Sequence, residues 1–200
     1  MPDIAACHIA CFPGSLASKL GTKYVIKTLD WFLVSPNRFL FHAEEDGKVV
    51  GYCGGFIPGK PGDGSSSGML QHAFIEAVKG LLTKPWLIIH PEVRQHYPFI
   101  WRNIKRRITG KITPAVTPAK AVPFKPYAGL VVIGVYPSYR GKGVAQLLMA
   151  GFENRSRQLE QRQLILSVKK DNSRAIKAYN NYGWSIKEEH DKTYVLEKMI

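Results

Sequence analysis

Residues 140–145, Arg-Gly-Lys-Gly-Val-Ala, place two cations and two glycines where a strand pattern gives way to a helical one. That combination suits an anion, and a phosphate in particular. Glycine leaves the backbone N–H groups unshielded, while the first turn of a helix contributes free N–H donors and a positive dipole. Arg140 and Lys142 add charge at the same point. Before the turn, Gly129 to Tyr136 is apolar and largely β-branched, as in a strand buried on both faces, and Pro137 ends it. After it, Val144, Leu147, Leu148 and Phe152 recur at helical spacing.

Spacing separates the phosphate-binding motifs that could use such a turn. A P-loop needs Gly-Lys-Ser/Thr, and Gly143 is followed by Val144. A dinucleotide fold needs Gly-x-Gly-x-x-Gly, whereas Gln146 occupies the third glycine position and no acid stands near the end of the next strand, Leu164 to Val168. What remains is Arg-x-x-Gly-x-Ala, met by Arg140, Gly143 and Ala145 and preceded by Val-x-Pro at Val135 to Pro137. A second pattern follows. Asp171, Asn172 and Ser173 are helix-start residues, Gly183 is a stop, and Asn172, Ala175 and Tyr179 share one helical face.

Together, Arg-x-x-Gly-x-Ala and Asn-x-x-Ala-x-x-x-Tyr-x-x-x-Gly-Trp resemble the GNAT superfamily of acetyl-CoA-dependent N-acetyltransferases. The match is good over residues 129 to 200 and looser upstream. The resemblance implies an α/β fold: a mixed, mostly antiparallel sheet with splayed parallel central strands, flanked by helices. It implies one domain over residues 1–200, with a long insert, about 58–127, between the third and fourth strands. It also implies acetyl-CoA as cosubstrate and no metal. By position, Arg140, Gly141, Lys142, Gly143, Val144 and Ala145 would hold the pyrophosphate, with Asn172, Ala175 and Tyr179 completing the cofactor site. The N–H of Ile133 would polarise the acetyl oxygen, Val135 would pair with pantetheine along a bulged strand, and Tyr179 would protonate the departing thiolate, with Tyr182 as the alternative acid.

Acyl transfer to an amine also calls for a base. Many GNAT members carry a glutamate near the start of the fourth strand, but the corresponding position here is about Gly129, and no carboxylate occurs from Val93 to Phe152. His42, Glu44, His72, Glu76 and His90 are the candidates elsewhere.

The net charge of +13 is uneven: ten Lys and Arg and no acid lie between Glu92 and Glu153. Arg94, Arg102, Lys105, Arg106, Arg107, Lys111, Lys120 and Lys125 fall in a proline-interrupted stretch with Tyr97, Phe99 and Trp101. A solvated basic surface, a dock for an anionic acceptor, a nucleic-acid patch and an anionic-membrane patch all fit this stretch. No nucleic-acid-binding motif is found in it, so a nucleic-acid partner is not expected. Three cysteines without a framework spacing suit a reducing cytoplasm, no run is long enough to span a membrane, and no basic leader precedes the first apolar run. Cys7, His8 and Cys11 invite a metal, but they lack a second ligand pair.

Helices are expected at Ile4 to Phe12, Leu16 to Leu20, Lys23 to Val34 and Met69 to Leu82, and a strand hairpin at Arg38 to Ala43 and Lys48 to Ile57, with a flexible loop at Pro58 to Gly68. The function expected is acetyl transfer from acetyl-CoA to a primary amine of a small molecule, and an anionic acceptor is compatible. The phrase at residues 11–21 resembles GNAT members associated with amino-sugar modification. An acyl-CoA-binding module, or a protein- or nucleic-acid-directed acetyltransferase using the basic stretch, is the alternative. A homodimer is compatible with the sequence.

Overall fold

The structure is a computed structural model that describes residues 1–59, 63, 65–95, 97, 101 and 125–200. Three helices open the chain: α1 (Pro2–Cys11), α2 (Leu16–Leu20) and α3 (Thr22–Asp30). Ser15 caps α2 by accepting from the N–H of Ser18. Helix α3 stops four residues short of the expected Val34. The chain turns at Trp31 so that Trp31 and Phe32 are both buried, and the Arg38 guanidinium lies 3.9 Å over the Trp31 ring while donating to its carbonyl at 3.0 Å.

Strands β1 (Arg38–Glu45) and β2 (Lys48–Phe56) form the expected hairpin. Its two-residue turn, Asp46 and Gly47, has φ of 51° and 72°, the left-handed pair that matches strand twist. Beyond it the single helix expected at Met69 to Leu82 is two, α4 (Ser65–His72) and α5 (Phe74–Thr83). The break is at the fully buried Ala73, whose φ of −94° and ψ of 9° leave the helical region. The expected loop thus ends in a helix from Ser65 onward. A 3₁₀ turn (Pro85–Ile89) and a short α6 (Pro91–Gln95) follow. Phe99 and residues 102–124, with Arg102, Lys105, Arg106, Arg107, Lys111 and Lys120, lie outside the described residues. Tyr97 and Trp101 are exposed.

The remaining elements are β3 (Ala128–Val135), a 3₁₀ turn (Pro137–Tyr139), α7 (Val144–Gln158), β4 (Gln163–Lys169), α8 (Ser173–Asn181), β5 (Ser185–Glu189) and β6 (Thr193–Met199). The strand expected as the fourth is thus the third among the described residues. The sheet order is β1-β2-β3-β4-β6-β5, and only β3 and β4 run parallel. Two cores cover its faces. One joins Leu148, Met149 and Phe152 of α7 to Leu164, Leu166 and Leu196; the other joins Ile4, Val25, Leu29 and Phe32 to Tyr52. Burial of β3 on both faces holds only in part: Ala128, Leu130 and Gly134 are buried, while Val131 to Ile133 and Val135 are half-buried. Those half-buried residues wall a cleft.

Candidate active site

The cleft exists because β3 and β4 part company. Ala128 to Leu130 pair with Leu164 to Leu166, and there the parallel pairing ends. Beyond that point β3 continues on β2 as far as Val135 and β4 continues on β6 as far as Lys169, so the two strands splay. On its other edge β3 carries a bulge: the register shifts between Gly54 and Gly55, leaving Val131 without an opposite residue. As a result Val131 and Val132 both pack into the core under α1, while Ile133 and Val135 pack into the other. Tyr136 N–H donates to the Val50 carbonyl at 2.8 Å. By the two-residue alternation of an antiparallel edge, Gly134 and Val132 share that side, and the N–H and C=O groups of Ile133 and Val135 face the gap.

The gap opens into a cleft of about 730 Å³. Ile133, Val135, Arg140, Ala145, Asn172, Ala175, Tyr179 and Tyr182 all line it. Between Arg140 and Ala145 the turn carries Gly141 and Gly143 at φ of 80° and 81°, a conformation that side chains rarely adopt. Apart from each glycine and its chain neighbours, no described atom lies within 4 Å of the point where a side chain would begin, so the space above the turn is open. Gly143 caps the 15-residue α7 without any side-chain bond, and the first turn keeps its N–H groups unused within the helix. Lys142 sits 4.9 Å over the Tyr139 ring, and Val144 packs into the core beneath. Arg140 commits two of its donors to the protein while the residue stays exposed at the cleft. Its Nε donates to the Val135 carbonyl at 3.2 Å and a terminal nitrogen to the Cys11 carbonyl at 3.3 Å, tying the turn to β3 and α1.

From the far wall, Asn172 accepts from the Ala175 N–H at 3.2 Å and so starts α8, which aims Tyr179 into the cleft. The Tyr179 ring is tilted against Trp184 at 6.1 Å. Burial, with a lesser contribution from Cys53, pushes its phenol up to about 12, so it stays protonated through the neutral range.

None of the five base candidates is brought to the cleft. His42 pairs with Glu44 at 2.8 Å on β1, Glu76 with Lys79 at 2.6 Å, and His90 stands 3.2 Å from the Lys19 ammonium. His72 lies on α4, with its Nε2 buried. The imidazole that does line the cleft is His8. Its Nδ1 meets the Tyr52 hydroxyl at 2.6 Å, and burial lowers it to about 4. The available signal was the helical spacing of His8, Cys11 and Phe12, which put one imidazole on the face that α1 turns to β3. Cys7 and Cys11 are free thiols, 3.9 Å apart.

A model of the Acetyltransferase (GNAT) family matches residues 2–184. The chain is a GNAT acetyltransferase. Among curated proteins, none matches the sequence. Solved structures share the fold at low identity. The PaiA N-acetyltransferase of Thermoplasma acidophilum, in complex with coenzyme A, is 11% identical, with a TM-score of 0.55 over 98% of this chain and 88% of that one. For Chaetomium thermophilum Naa20 with a bisubstrate analogue the values are 15%, 0.55, 100% and 84%. For the aminoglycoside 6'-N-acetyltransferase of Acinetobacter haemolyticus they are 12%, 0.54, 94% and 86%. GNAT enzymes use acetyl-CoA as cosubstrate, and the features of this chain fit it: an open, donor-lined turn for phosphates and a strand edge that no neighbouring strand covers beyond Leu130 for an amide-bearing arm. Among the described residues, no three His, Cys, Asp or Glu side chains form a group able to hold a metal ion. No described helix is long and apolar enough to cross a membrane.

Proposed function

We propose that this GNAT acetyltransferase moves an acetyl group from acetyl-CoA directly to a primary amine of a small molecule, with an amino sugar as the leading acceptor class and an anionic group on it compatible. Acetyl-CoA supplies the thioester; the chain supplies position and protons. The observation that carries this reading is the splay of β3 from β4 beyond Leu130, which turns the Ile133 and Val135 backbone groups toward a cleft that also holds Tyr179.

In this reading the N–H groups from Gly141 to Ala145 hold the pyrophosphate, and the Lys142 charge strengthens that site. Val135 pairs with the pantetheine arm as a neighbouring strand would. The Ile133 N–H donates to the acetyl oxygen, where negative charge grows as the amine adds. Tyr179 donates its proton to the leaving sulfur. A raised phenol pKa keeps that proton in place until a strongly basic thiolate is being expelled. Tyr182, which also lines the cleft, is the alternative donor. Residues 1–200 act as one domain, and the cytoplasm, where acetyl-CoA is made available, is the expected location. The test is a panel of primary amines with acetyl-CoA, read by release of free thiol. Turnover with an amino sugar supports the acceptor class; release only with peptide amines would overturn it.

A further inference from the structure

We propose that His8 is the group that takes the proton from the attacking amine. This rests on the reading of the cleft as the acetyl-transfer site and names the base which that reading leaves open.

The imidazole forms part of the cleft wall from α1, and α8 brings Tyr179 from the other side. Tyr52 holds it there: the two meet at 2.6 Å through Nδ1, and Tyr52 is fully buried. Nε2, in contrast, is buried with no hydrogen-bond partner among the described residues. Among the described residues His72 Nε2 and Trp184 Nε1 are orphaned in the same way, and of the three only His8 belongs to the cleft lining. Its position is fixed relative to the reacting centre. Tyr52 stands opposite Gly134 in the β2–β3 register, and a side chain at Gly134 would meet the Tyr52 ring at 2.7 Å, Cys11 Sγ at 3.2 Å and Phe12 at 3.3 Å. Only glycine therefore lets β3 pass this close under α1. The residue before Gly134 on the strand is Ile133, whose N–H faces the gap.

Base and acid thus reach the cleft from opposite faces of the sheet, with the donor strand between them. Burial acts on both in the useful direction, lowering His8 to about 4 and raising Tyr179 to about 12, so that at neutral pH one is a free imidazole and the other an intact phenol. The role requires the tautomer in which Nδ1–H donates to the Tyr52 oxygen, which leaves the lone pair on Nε2 free; the opposite direction would put the proton on Nε2. As the acceptor nitrogen bonds to the acyl carbon it becomes strongly acidic, which a weakly basic imidazole can exploit. One N–H proton passes to Nε2, the C–S bond breaks, and the Tyr179 proton goes to sulfur. His8 then returns its proton to solvent and Tyr179 regains one, leaving amide and free thiol. Nε2 is buried in the free protein, so the α1 wall must shift enough to uncover it when the acceptor arrives.

Two experiments test this. In protein labelled with ¹⁵N-histidine, His8 is expected to show an unprotonated Nε2 between about pH 6 and 8; an Nε2–H signal would overturn the assignment. Separately, His8→Gln and His8→Ala are assayed with acetyl-CoA and glucosamine, spermidine or an alanine-starting peptide, whichever the parent uses. The expected result is a fall in acceptor kcat/KM of about 10²-fold or more, unchanged acetyl-CoA affinity by calorimetry, and partial rescue of His8→Ala by added imidazole. Parent-like turnover in His8→Gln, or a folded His8→Ala that imidazole does not rescue, would overturn it. If His8→Ala does not fold, the glutamine variant and the ¹⁵N signal decide. If the parent itself fails to bind acetyl-CoA, the reading of the cleft falls, and the base with it.

Discussion

At the scale of single residues, the site divides into groups whose sequence neighbours announce them and groups that only the fold reveals. Asn172, Ala175 and Tyr179 belong to the first kind, because capping and helical spacing are local properties: Asn172 does cap α8, and all three line the cleft. His8 belongs to the second. Its meaning comes from Tyr52, 44 residues away, because the helical spacing with Cys11 and Phe12 sets its face but does not tell it from a core histidine. Of the candidate bases on the early strands and the insert, His42 pairs with Glu44 and Glu76 with Lys79, and none of the five lines the cleft. For Tyr179 the expectation is direct. Tyr179→Phe keeps the ring packed against Trp184 but removes the proton, so kcat should fall by roughly 10² to 10⁴ with acetyl-CoA affinity nearly unchanged. Stopped-time assays of thiol release, with calorimetry for binding, check it. A rise in KM alone would make Tyr179 a binding residue, and parent-like kcat would move the acid role to Tyr182.

At the scale of elements, the strand–turn–helix unit around Arg140 was legible because each part has its own signal: Pro137 stops the strand, and glycines stand at the two positions with φ near 80°. The bulge at Val131 left no such trace, since a run of apolar β-branched residues reads the same with or without one extra residue. The break at Ala73 was hidden likewise, the apolar stripe running on through it. Close packing of α1 on β3 yields a further prediction. Gly134→Ala places a methyl 2.7 Å from the Tyr52 ring, which is pinned under α1, so either the strand or the helix must shift. Overpacking of this kind costs about 1–3 kcal/mol, to be read as a lower urea midpoint at constant slope. Undiminished stability would mean that α1 does not lie against β3 as described.

At the scale of the whole molecule, charge and proton uptake decide the behaviour. The basic stretch was legible in composition alone, and its function is testable by charge alone. If it draws in an anionic acceptor, changing Arg102, Lys105, Arg106 and Arg107 to Gln should raise the acceptor KM, spare acetyl-CoA binding and flatten the salt dependence of the rate. Parent-like kinetics at every salt concentration would assign the stretch to a solvated surface. Acid stability follows from His8, lowered from an ordinary 6.5 to about 4 by burial. Between those values the unfolded chain takes up a proton that the folded chain refuses, so stability is full above pH 6.5 and falls as the pH drops toward 4. The loss is on the order of 3 kcal/mol, and thermal melts of His8→Gln should show a shallower decline over the same range; an identical decline would place the proton uptake elsewhere. The measurement that bears most directly on the molecule as an acetyl-CoA enzyme is calorimetric titration of acetyl-CoA into the parent and into Gly143→Asp. Gly143 offers open space at φ of 81° above the free N–H groups of α7, and a carboxylate there would occupy the anion site with the wrong charge. Saturable binding in the parent and none in a folded Gly143→Asp is expected; equal affinity in the two would show that the turn from Gly141 to Ala145 does not hold the cofactor.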